Sequence, residues 1–338
     1  MEKTRWTLKI VILLIVFGLV GIFVWWLGWS SRDLSLGDGN ISKMNSDLGV
    51  IMETDGVKHS VLLDEIVGGG PAKDGIPSID EPKFVAVDEA NDFLDDSEPG
   101  LSISFKGIDR FYPFKILVWH EIVNDIYEGQ RVLVTYCPLC LSGVVFDPIV
   151  KGERVEFGTS GKLWQSNLVM YDRKTDSLWS QILGEAIVGE LTGAKLKTIS
   201  SDQMKYGAWK SGVYSGQVLS KDTGADRFYG HDPYGDYYSS PGTYFSVRAK
   251  DKRLSEKDFV LGLMINGEAK AYYPPAIKKE GKIEDEVGGV SIVARYEKDI
   301  DVVRLFKVDS DGVEERINPV PNFWFSWVAA HPDTGLFK

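Results

Sequence analysis

Short runs of alternating apolar and polar residues make up most of the chain. Six of them have strand length, are rich in β-branched or aromatic residues and are bounded by Gly, Pro, Asn or Asp: 131–136, 143–146, 167–171, 177–181, 259–265 and 301–308. Residues 172–176 (DRKTD), which connect the runs 167–171 and 177–181, have the composition of a hairpin turn. Helical periodicity is limited to residues 116–124 and 202–211. The pattern predicts a mainly β fold with short helices, with α+β as the alternative class.

The N-terminal pattern is different. Residues 10–29 carry no charge, follow Lys3, Arg5 and Lys9, and end among Trp25, Trp26 and Trp29. About 20 apolar residues suffice to cross a bilayer as a helix, basic residues stay on the cytoplasmic side, and tryptophans favour the interface. The pattern predicts a single transmembrane anchor at 10–29 with a cytoplasmic N-terminus at 1–9. We expect it to remain uncleaved, because no small-residue cleavage site follows it.

The predicted location of the rest of the chain follows from that anchor. Residues 30–60 are polar and predict a linker, so that 61–338 would form an extracytoplasmic domain at the cell membrane. Of the charged residues, 38 are basic and 49 acidic, a formal net charge of −11. Such a balance argues against a nucleic-acid binder, whose affinity depends on neutralising phosphates. The membrane is the partner that the sequence predicts, and a protein partner stays open.

An internal repeat relates residues 107–136 to residues 267–296. Gly107, Tyr112, Asp125, Gly129 and Tyr136 recur, in the same order, as Gly267, Tyr272, Asp285, Gly289 and Tyr296. This spacing predicts two related β modules. Shared residues then belong to the scaffold, and residues of one copy alone are candidates for chemistry. His120, Glu121, Cys137 and Cys140 are of the second kind, since Glu280, Gly281, Glu297 and Ile300 replace them.

The chain has two cysteines, and they form the sequence Cys137-Pro138-Leu139-Cys140 between two predicted strands. A thioredoxin-like motif would instead precede a helix. Three interpretations stay open. The pair binds copper or zinc, with His120 as third ligand and Glu121 or Asp125 orienting that histidine. It exchanges disulfides, with both cysteines catalytic. Or it forms a structural disulfide, although so short a loop gains little stability. Whether the chain is an enzyme is open.

A second candidate site is a polar and aromatic cleft. It would serve a non-catalytic module that binds a ligand or partner, with the cysteines as a structural disulfide. The same residues also suit turns and cross-strand pairs. The candidate side chains are Ser160, Trp164, Asp172, Arg173, Trp179, Gln181 and His231.

Several of these segments together resemble the DUF3179 family, for which no reaction is established. The resemblance is carried by DGIPSIDEPKFV (74–85), WHEIVND (119–125), VTYCPLC (134–140), the block 157–193, DPYGDYY (232–238) and FWFSWVAAHPDTGLF (323–337). It covers the chain from about residue 61 and implies that His120, Cys137, Cys140 and the 157–181 block act together. Leu141 stands where the family usually has Gly.

Overall fold

Short antiparallel strands build the fold, so the prediction of a mainly β protein is confirmed. The computed structural model describes residues 45–46, 49–213 and 215–338. The first strands in chain order are β1 (Asn45–Ser46), β2 (Gly49–Val50), β3 (Met52–Thr54), β4 (Val57–His59), β5 (Ile66–Gly68), β6 (Phe84–Ala86), β7 (Pro99–Phe105), β8 (Ile108–Pro113), β9 (Ile122–Tyr127), β10 (Gln130–Cys137), β11 (Ser142–Asp147), β12 (Ile149–Val150), β13 (Glu153–Arg154) and β14 (Phe157–Trp164).

The remaining strands and the helices complete the set. The strands are β15 (Asn167–Asp172), β16 (Leu178–Ser180), β17 (Glu185–Val188), β18 (Lys197–Thr198), β19 (Asp202–Lys205), β20 (Gln217–Leu219), β21 (Phe259–Ile265), β22 (Glu268–Tyr272), β23 (Lys282–Val287), β24 (Val290–Glu297), β25 (Val302–Val308), β26 (Glu314–Ile317), β27 (Val320–Phe323) and β28 (Gly335–Phe337). The helices are α1 (Val87–Ala90), α2 (Phe114–Leu117), α3 (Tyr206–Ser211), α4 (Pro274–Glu280) and α5 (Trp324–Ala330), with 3₁₀ turns at Leu63–Glu65, Pro138–Cys140 and Lys298–Ile300.

Two modules share one arrangement of strands. In the first, the sheets have the strand orders β19-β7-β8-β20-β6 and β18-β11-β10-β9; in the second, the orders are β27-β21-β22-β28 and β23-β24-β25-β26. Strands β7 to β10 have counterparts 160 residues later, as Pro99–Phe105 and Phe259–Ile265 illustrate. The correspondence therefore extends beyond 107–136 and 267–296.

The first module is more than a copy of the second, because it is accompanied by a seven-stranded sheet. The strand order of this sheet is β3-β4-β17-β16-β15-β14-β5. Most of its strands come from the chain between β11 and β19, where the second module has only β26. The other strands lie near the N-terminus, and His59 of β4 pairs with Val188 of β17. The segment predicted as a linker, 30–60, thus contains paired strands from β1 onward.

Both helix predictions were only half right. Residues 116–124 contain the end of α2 but continue as β9, and residues 202–211 begin as β19 before α3. Glu121 has a φ of 59°, which interrupts any helix, and the β-branched Ile122 and Val123 then favour a strand. The predicted anchor at 10–29 lies outside the described residues. Among the helices of the described part, none is long and apolar enough to cross a bilayer.

A hydrophobic cluster surrounds the turn between β10 and β11. It combines Cys137 and Cys140 with Phe146 of the first module, Trp179 of the seven-stranded sheet and Phe323 of the second module. Each fully buried large side chain contributes roughly 1.5–3 kcal/mol. The turn with the cysteines is therefore fixed by all three parts of the fold.

Candidate thiol site

The two cysteines flank a tight turn. Cys137 ends β10 opposite Ser142 of β11, and the 3₁₀ turn Pro138–Cys140 lies between them. Proline fits the first position of such a turn, because its φ is fixed and that position needs no N–H donor. The side chains of Cys137 and Cys140 interact with each other, so both thiols face the same side of the turn. The predicted strand–loop–strand setting is confirmed, and the loop precedes no helix.

Leu141 closes this turn in the left-handed region, at a φ of 50°. Glycine adopts that conformation without strain, whereas a residue with a Cβ does not. This explains on physical grounds why a glycine would be the usual residue here. Asp301, its counterpart in the second module, has a φ of 54°, so the turn is common to both modules.

Both thiols are free and buried, with 1% and 0% of Cys137 and Cys140 exposed. The Cys140 thiol donates a hydrogen bond to the Ser166 carbonyl oxygen at 3.2 Å and accepts one from the Ser326 hydroxyl, also at 3.2 Å. Ser166 belongs to the β14–β15 hairpin and Ser326 to α5 of the second module. Cys140 thus bonds to the two neighbouring parts of the fold.

Burial raises the pKa of the Cys137 thiol well above its usual range. The adjacent Cys140 thiol and the charge of Glu121 raise it further. A thiol with so high a pKa is protonated at neutral pH and is a weak nucleophile until a base takes its proton.

Glu121 is the candidate for that base, because it is the carboxyl group whose charge acts on Cys137. Its side chain is 8% exposed, and no described residue hydrogen-bonds to its carboxyl group. Burial alone raises its pKa from 4.5 to about 8. Its charge also raises the pKa of Cys137 and of Tyr234, so the carboxyl group lies within electrostatic reach of both. A carboxyl group with a pKa near neutrality can take the proton of a thiol when the two come within hydrogen-bond reach.

The backbone at Glu121 is strained. Its φ of 59° lies in the region that glycine adopts freely, and the counterpart in the second module is Gly281, with a φ of 79°. Strain of this kind costs about 1–3 kcal/mol. The first module therefore holds a carboxyl group at a position where the same fold accommodates glycine.

A tyrosine-rich segment covers the turn. The Tyr237 hydroxyl donates a hydrogen bond of 2.9 Å to the Leu139 carbonyl oxygen, and the Tyr237 ring packs against Tyr234, Tyr238 and Tyr244. The Lys257 ammonium group lies 3.6 Å from the centre of the Tyr237 ring. We call residues 229–247 the tyrosine cover.

A cavity of about 690 Å³ opens beside the covered turn. Its lining includes Tyr136, Leu141, His231, Asp232 and Tyr238. Tyr136 directly precedes Cys137, and Leu141 directly follows Cys140, so the cavity reaches the two ends of the cysteine turn.

The sequence profile described as "Protein of unknown function (DUF3179)" matches residues 73–334. The chain belongs to the DUF3179 family. Neither a curated protein nor a solved structure gave a match. The matched range contains the cysteine turn, Glu121 and the tyrosine cover of this DUF3179 protein.

His120 forms its side-chain hydrogen bonds with residues other than the two cysteines of the DUF3179 domain. Its Nδ1 is 2.7 Å from the Pro77 carbonyl oxygen, and its Nε2 is 2.6 Å from the Tyr229 hydroxyl. Both ring nitrogens are thus occupied, and burial lowers the pKa of the imidazole. In the described part of the chain, no three His, Cys, Asp or Glu side chains converge as a metal site.

Asp125 contacts other partners than the predicted histidine. Its carboxylate pairs with Arg110 at 2.7 Å and accepts a hydrogen bond from Tyr112. In the second module, Asp285 pairs with Lys270 at 2.7 Å. This ion pair is shared by both modules of the DUF3179 domain and supports their scaffold.

The residues of the predicted cleft do not line one cavity. Asp172 accepts hydrogen bonds from Trp179 and from the backbone of the β15–β16 turn, which confirms that hairpin. The Ser160 hydroxyl forms a hydrogen bond with the backbone of β15, and the Trp164 indole forms one with Glu65. Gln181 forms hydrogen bonds with Asn167 and Thr135. Arg173 pairs with Asp80. The reason is that these side chains are held by hydrogen bonds and ion pairs within the fold, and of the predicted cleft residues only His231 lines the cavity at the turn.

Four important residues of the thiol site escaped sequence reasoning. They are Ser166, Ser326, Tyr234 and Tyr237. The density of tyrosines in residues 229–244 was a usable signal for the cover. Single serines carry no such signal, because only the fold brings Ser166 and Ser326 to Cys140.

Proposed function

We propose that Cys137 and Cys140 form a reversible dithiol–disulfide centre in which Glu121 accepts the proton of Cys137. The observation that carries the proposal is the Glu121 carboxyl group, which is buried without a hydrogen-bonding partner in the described residues, lies within electrostatic reach of the Cys137 thiol and is held in a strained backbone conformation. Strained or buried polar groups of this kind concentrate at functional sites.

The substrate of this chemistry is a small disulfide or the disulfide of a peptide. Glu121 takes the proton of Cys137, whose thiolate attacks one substrate sulfur and releases the other as a thiolate, which then takes up a proton. Cys140 next attacks the Cys137 sulfur of the mixed disulfide and transfers its own proton to the second departing thiolate. The protein gains one disulfide and loses two electrons, and the substrate disulfide becomes two thiols.

Cys137 is the better choice for the first attack. It interacts with Glu121 and with tyrosines of the cover, the side from which the cavity approaches. Cys140 is bonded to Ser166 and Ser326 in the interior. This assignment gives Cys140 the resolving step, which takes place inside the protein.

We propose copper(I) binding as a second candidate function. It is favoured by two adjacent thiols that face the same side of one turn, because soft thiolates select copper(I) and two of them suffice for a linear site. Zinc sites have four ligands, and the described residues bring no third His, Cys, Asp or Glu to the pair.

We also propose that the domain works outside the cytoplasm. The support is the predicted anchor at 10–29, which would place residues 61–338 in an oxidising compartment where dithiol–disulfide cycling operates.

The test is a redox titration of the full-length chain in thiol–disulfide buffers, with free thiols counted by mass spectrometry. We expect one reversible two-electron transition with a midpoint above about −300 mV, and no transition in the Cys137→Ser/Cys140→Ser variant. A midpoint below that value would mark a structural disulfide and contradict the proposal. It would favour the non-catalytic binding module instead.

Two further measurements separate the candidates. Glu121→Gln should slow the reaction with oxidised glutathione at least tenfold, since the base is lost. An unchanged rate would exclude Glu121 as the proton acceptor. In a parallel titration with a copper(I)-chelating dye, uptake of one copper(I) per chain that needs both cysteines would support the second candidate, and equal uptake by the double serine variant would exclude it.

A further inference from the structure

A second cavity, of about 840 Å³, lies away from the cysteine turn. Its walls come from the seven-stranded sheet, the β21–β22 hairpin and the end of α5, and they include Ile182, Glu185, Leu263, Trp327 and His331. Sites for small molecules have volumes of about 300–1,000 Å³ and combine apolar walls with a few polar groups. This cavity has both features.

Glu185 is the unusual residue of this cavity. It lies on β17, is 2% exposed, and its Oε1 atom has no hydrogen-bond partner in the described residues. Its other oxygen forms an ion pair with the Lys195 ammonium group at 4.0 Å, a distance too long for a hydrogen bond. Leaving a buried carboxyl oxygen without a hydrogen bond costs about 1–3 kcal/mol. An apolar residue would serve packing better at this position.

His331 provides a second polar group. Its ring lies 4.1 Å from that of Trp327, between centroids, and neither ring nitrogen hydrogen-bonds within the described residues. Burial lowers its pKa to about 4, with the Arg248 charge contributing, so the ring is neutral at pH 7. A neutral imidazole offers one donor and one acceptor.

The charges around the cavity favour a cation. Glu185, Glu268 and Asp333 face it, and Lys195 is the one basic side chain among its lining residues. Burial raises the pKa of Glu185 to about 7, so that a bound cation would draw it into the ionised form.

We propose that this cavity binds a small organic cation, a primary ammonium group on a short apolar chain. The ammonium group pairs with the Glu185 carboxylate and donates to the acceptor nitrogen of His331. The apolar chain packs against Ile182, Leu263 and Trp327. The site is independent of the thiols.

The test measures the binding of n-butylammonium, used as the probe, to the full-length chain by saturation-transfer NMR and calorimetry. n-Butanol and butyrate are the matched controls for shape. We expect saturable binding of butylammonium alone, about tenfold tighter at pH 8 than at pH 6, because Glu185 ionises in this interval. Among the other groups that face the cavity, His331 titrates near pH 4 and so stays neutral throughout it.

Glu185→Gln should weaken butylammonium binding at least tenfold and abolish its pH dependence, while Glu190→Gln, an exposed glutamate nearby, should leave both unchanged. Met264→Trp fills the cavity from its exposed rim and should also block binding. Absence of saturable binding, equal binding of butanol, or unchanged affinity in Glu185→Gln would overturn the proposal.

Discussion

Glu121 combines a strained backbone with a buried carboxyl group, and both features lower stability. Either could be relieved by the glycine that the second module has at the equivalent position, Gly281. A residue that keeps both costs is best explained by chemistry, here the transfer of a proton to and from Cys137.

The stability of the protein should depend on pH through Glu121. Its pKa is about 8 in the folded protein and near 4.5 when unfolded, so the folded state binds more protons between these values. The free energy of unfolding should therefore fall as pH rises from about 5 to 8, by at most about 1.4 kcal/mol per pH unit from this group. Urea denaturation at several pH values measures this slope.

The Glu121→Gln variant lacks this titrating group. Its free energy of unfolding should therefore increase relative to that of the unchanged protein as the pH rises. Glu89→Gln, at an exposed helix position, is the control and should preserve the slope. Identical slopes for the protein and Glu121→Gln would show that the carboxyl group is not held in its neutral form.

At the residue scale, the sequence predicted which residues belong to the site better than it predicted the contacts of their side chains. The cysteine pair was identified by its number and spacing, and the repeat, whose second copy lacks these residues, added Glu121, which was expected to orient His120. His120 was expected beside the thiols because it is near them in sequence, but its ring bonds to Pro77 and Tyr229. Proximity along the chain says little about side-chain direction across a strained residue such as Glu121.

At the element scale, the tyrosine cover limits access to the thiols. Tyr237 is bonded through its hydroxyl to the turn itself, at Leu139. Removing a buried hydrogen bond of this kind costs about 1–2 kcal/mol. Buried groups react when the structure around them opens locally. Loss of this hydrogen bond should therefore increase, by the corresponding factor, the population of the open state in which Cys137 and Cys140 are exposed.

Tyr237→Phe should therefore raise the rate of thiol alkylation by iodoacetamide about 5- to 30-fold in the absence of denaturant. Mass spectrometry of the alkylated chain measures this rate. Tyr244→Phe is the matched control, because Tyr244 is 60% exposed, and its rate should stay within about twofold of the unchanged protein. Equal rates for both variants would mean that the cover is not the barrier.

Strands in which apolar and polar residues alternate clearly were predictable. Segments that change from strand to helix, or from helix to strand, were not. The run 259–265 matches β21 residue for residue. Residues 202–211 read as one helix, but the first four pair with β7 as β19. Pairing with a distant strand is a tertiary effect that local periodicity does not contain.

At the scale of the whole molecule, a buried ion cluster ties the two modules together. Asp202 of the first module, 8% exposed at its side chain, pairs with Arg304 at 2.7 Å and Arg316 at 2.6 Å from the second. Loss of the shared carboxylate would leave two guanidinium groups without their partner. Such losses destabilise more than the loss of a surface pair.

Asp202→Asn should lower the free energy of unfolding by about 1–3 kcal/mol. Glu315→Gln, which breaks the exposed pair with Lys307, should change it by less than about 0.5 kcal/mol. Chemical denaturation of the three proteins provides the comparison. A loss of the same small size in both variants would show that the modules are held together by apolar packing alone.

The duplication of the modules was visible in the sequence, whereas the seven-stranded sheet was not. Repeated residues such as Asp125 and Asp285 keep their spacing, which a comparison of the chain with itself reveals. The extra sheet joins strands as distant as β4 and β17. Its assembly depends on pairing between segments that share no repeat.

The turn at Lys298–Ile300 has the shape of the cysteine turn but none of its chemistry, with Gly281, Glu297 and Ile300 at the three equivalent positions. The second module therefore offers, within the same molecule, an equivalent turn into which the residues of the thiol site can be introduced. Gly281→Glu, Glu297→Cys and Ile300→Cys together would reveal whether the turn alone confers thiol reactivity or whether reactivity requires the surroundings that the first module provides.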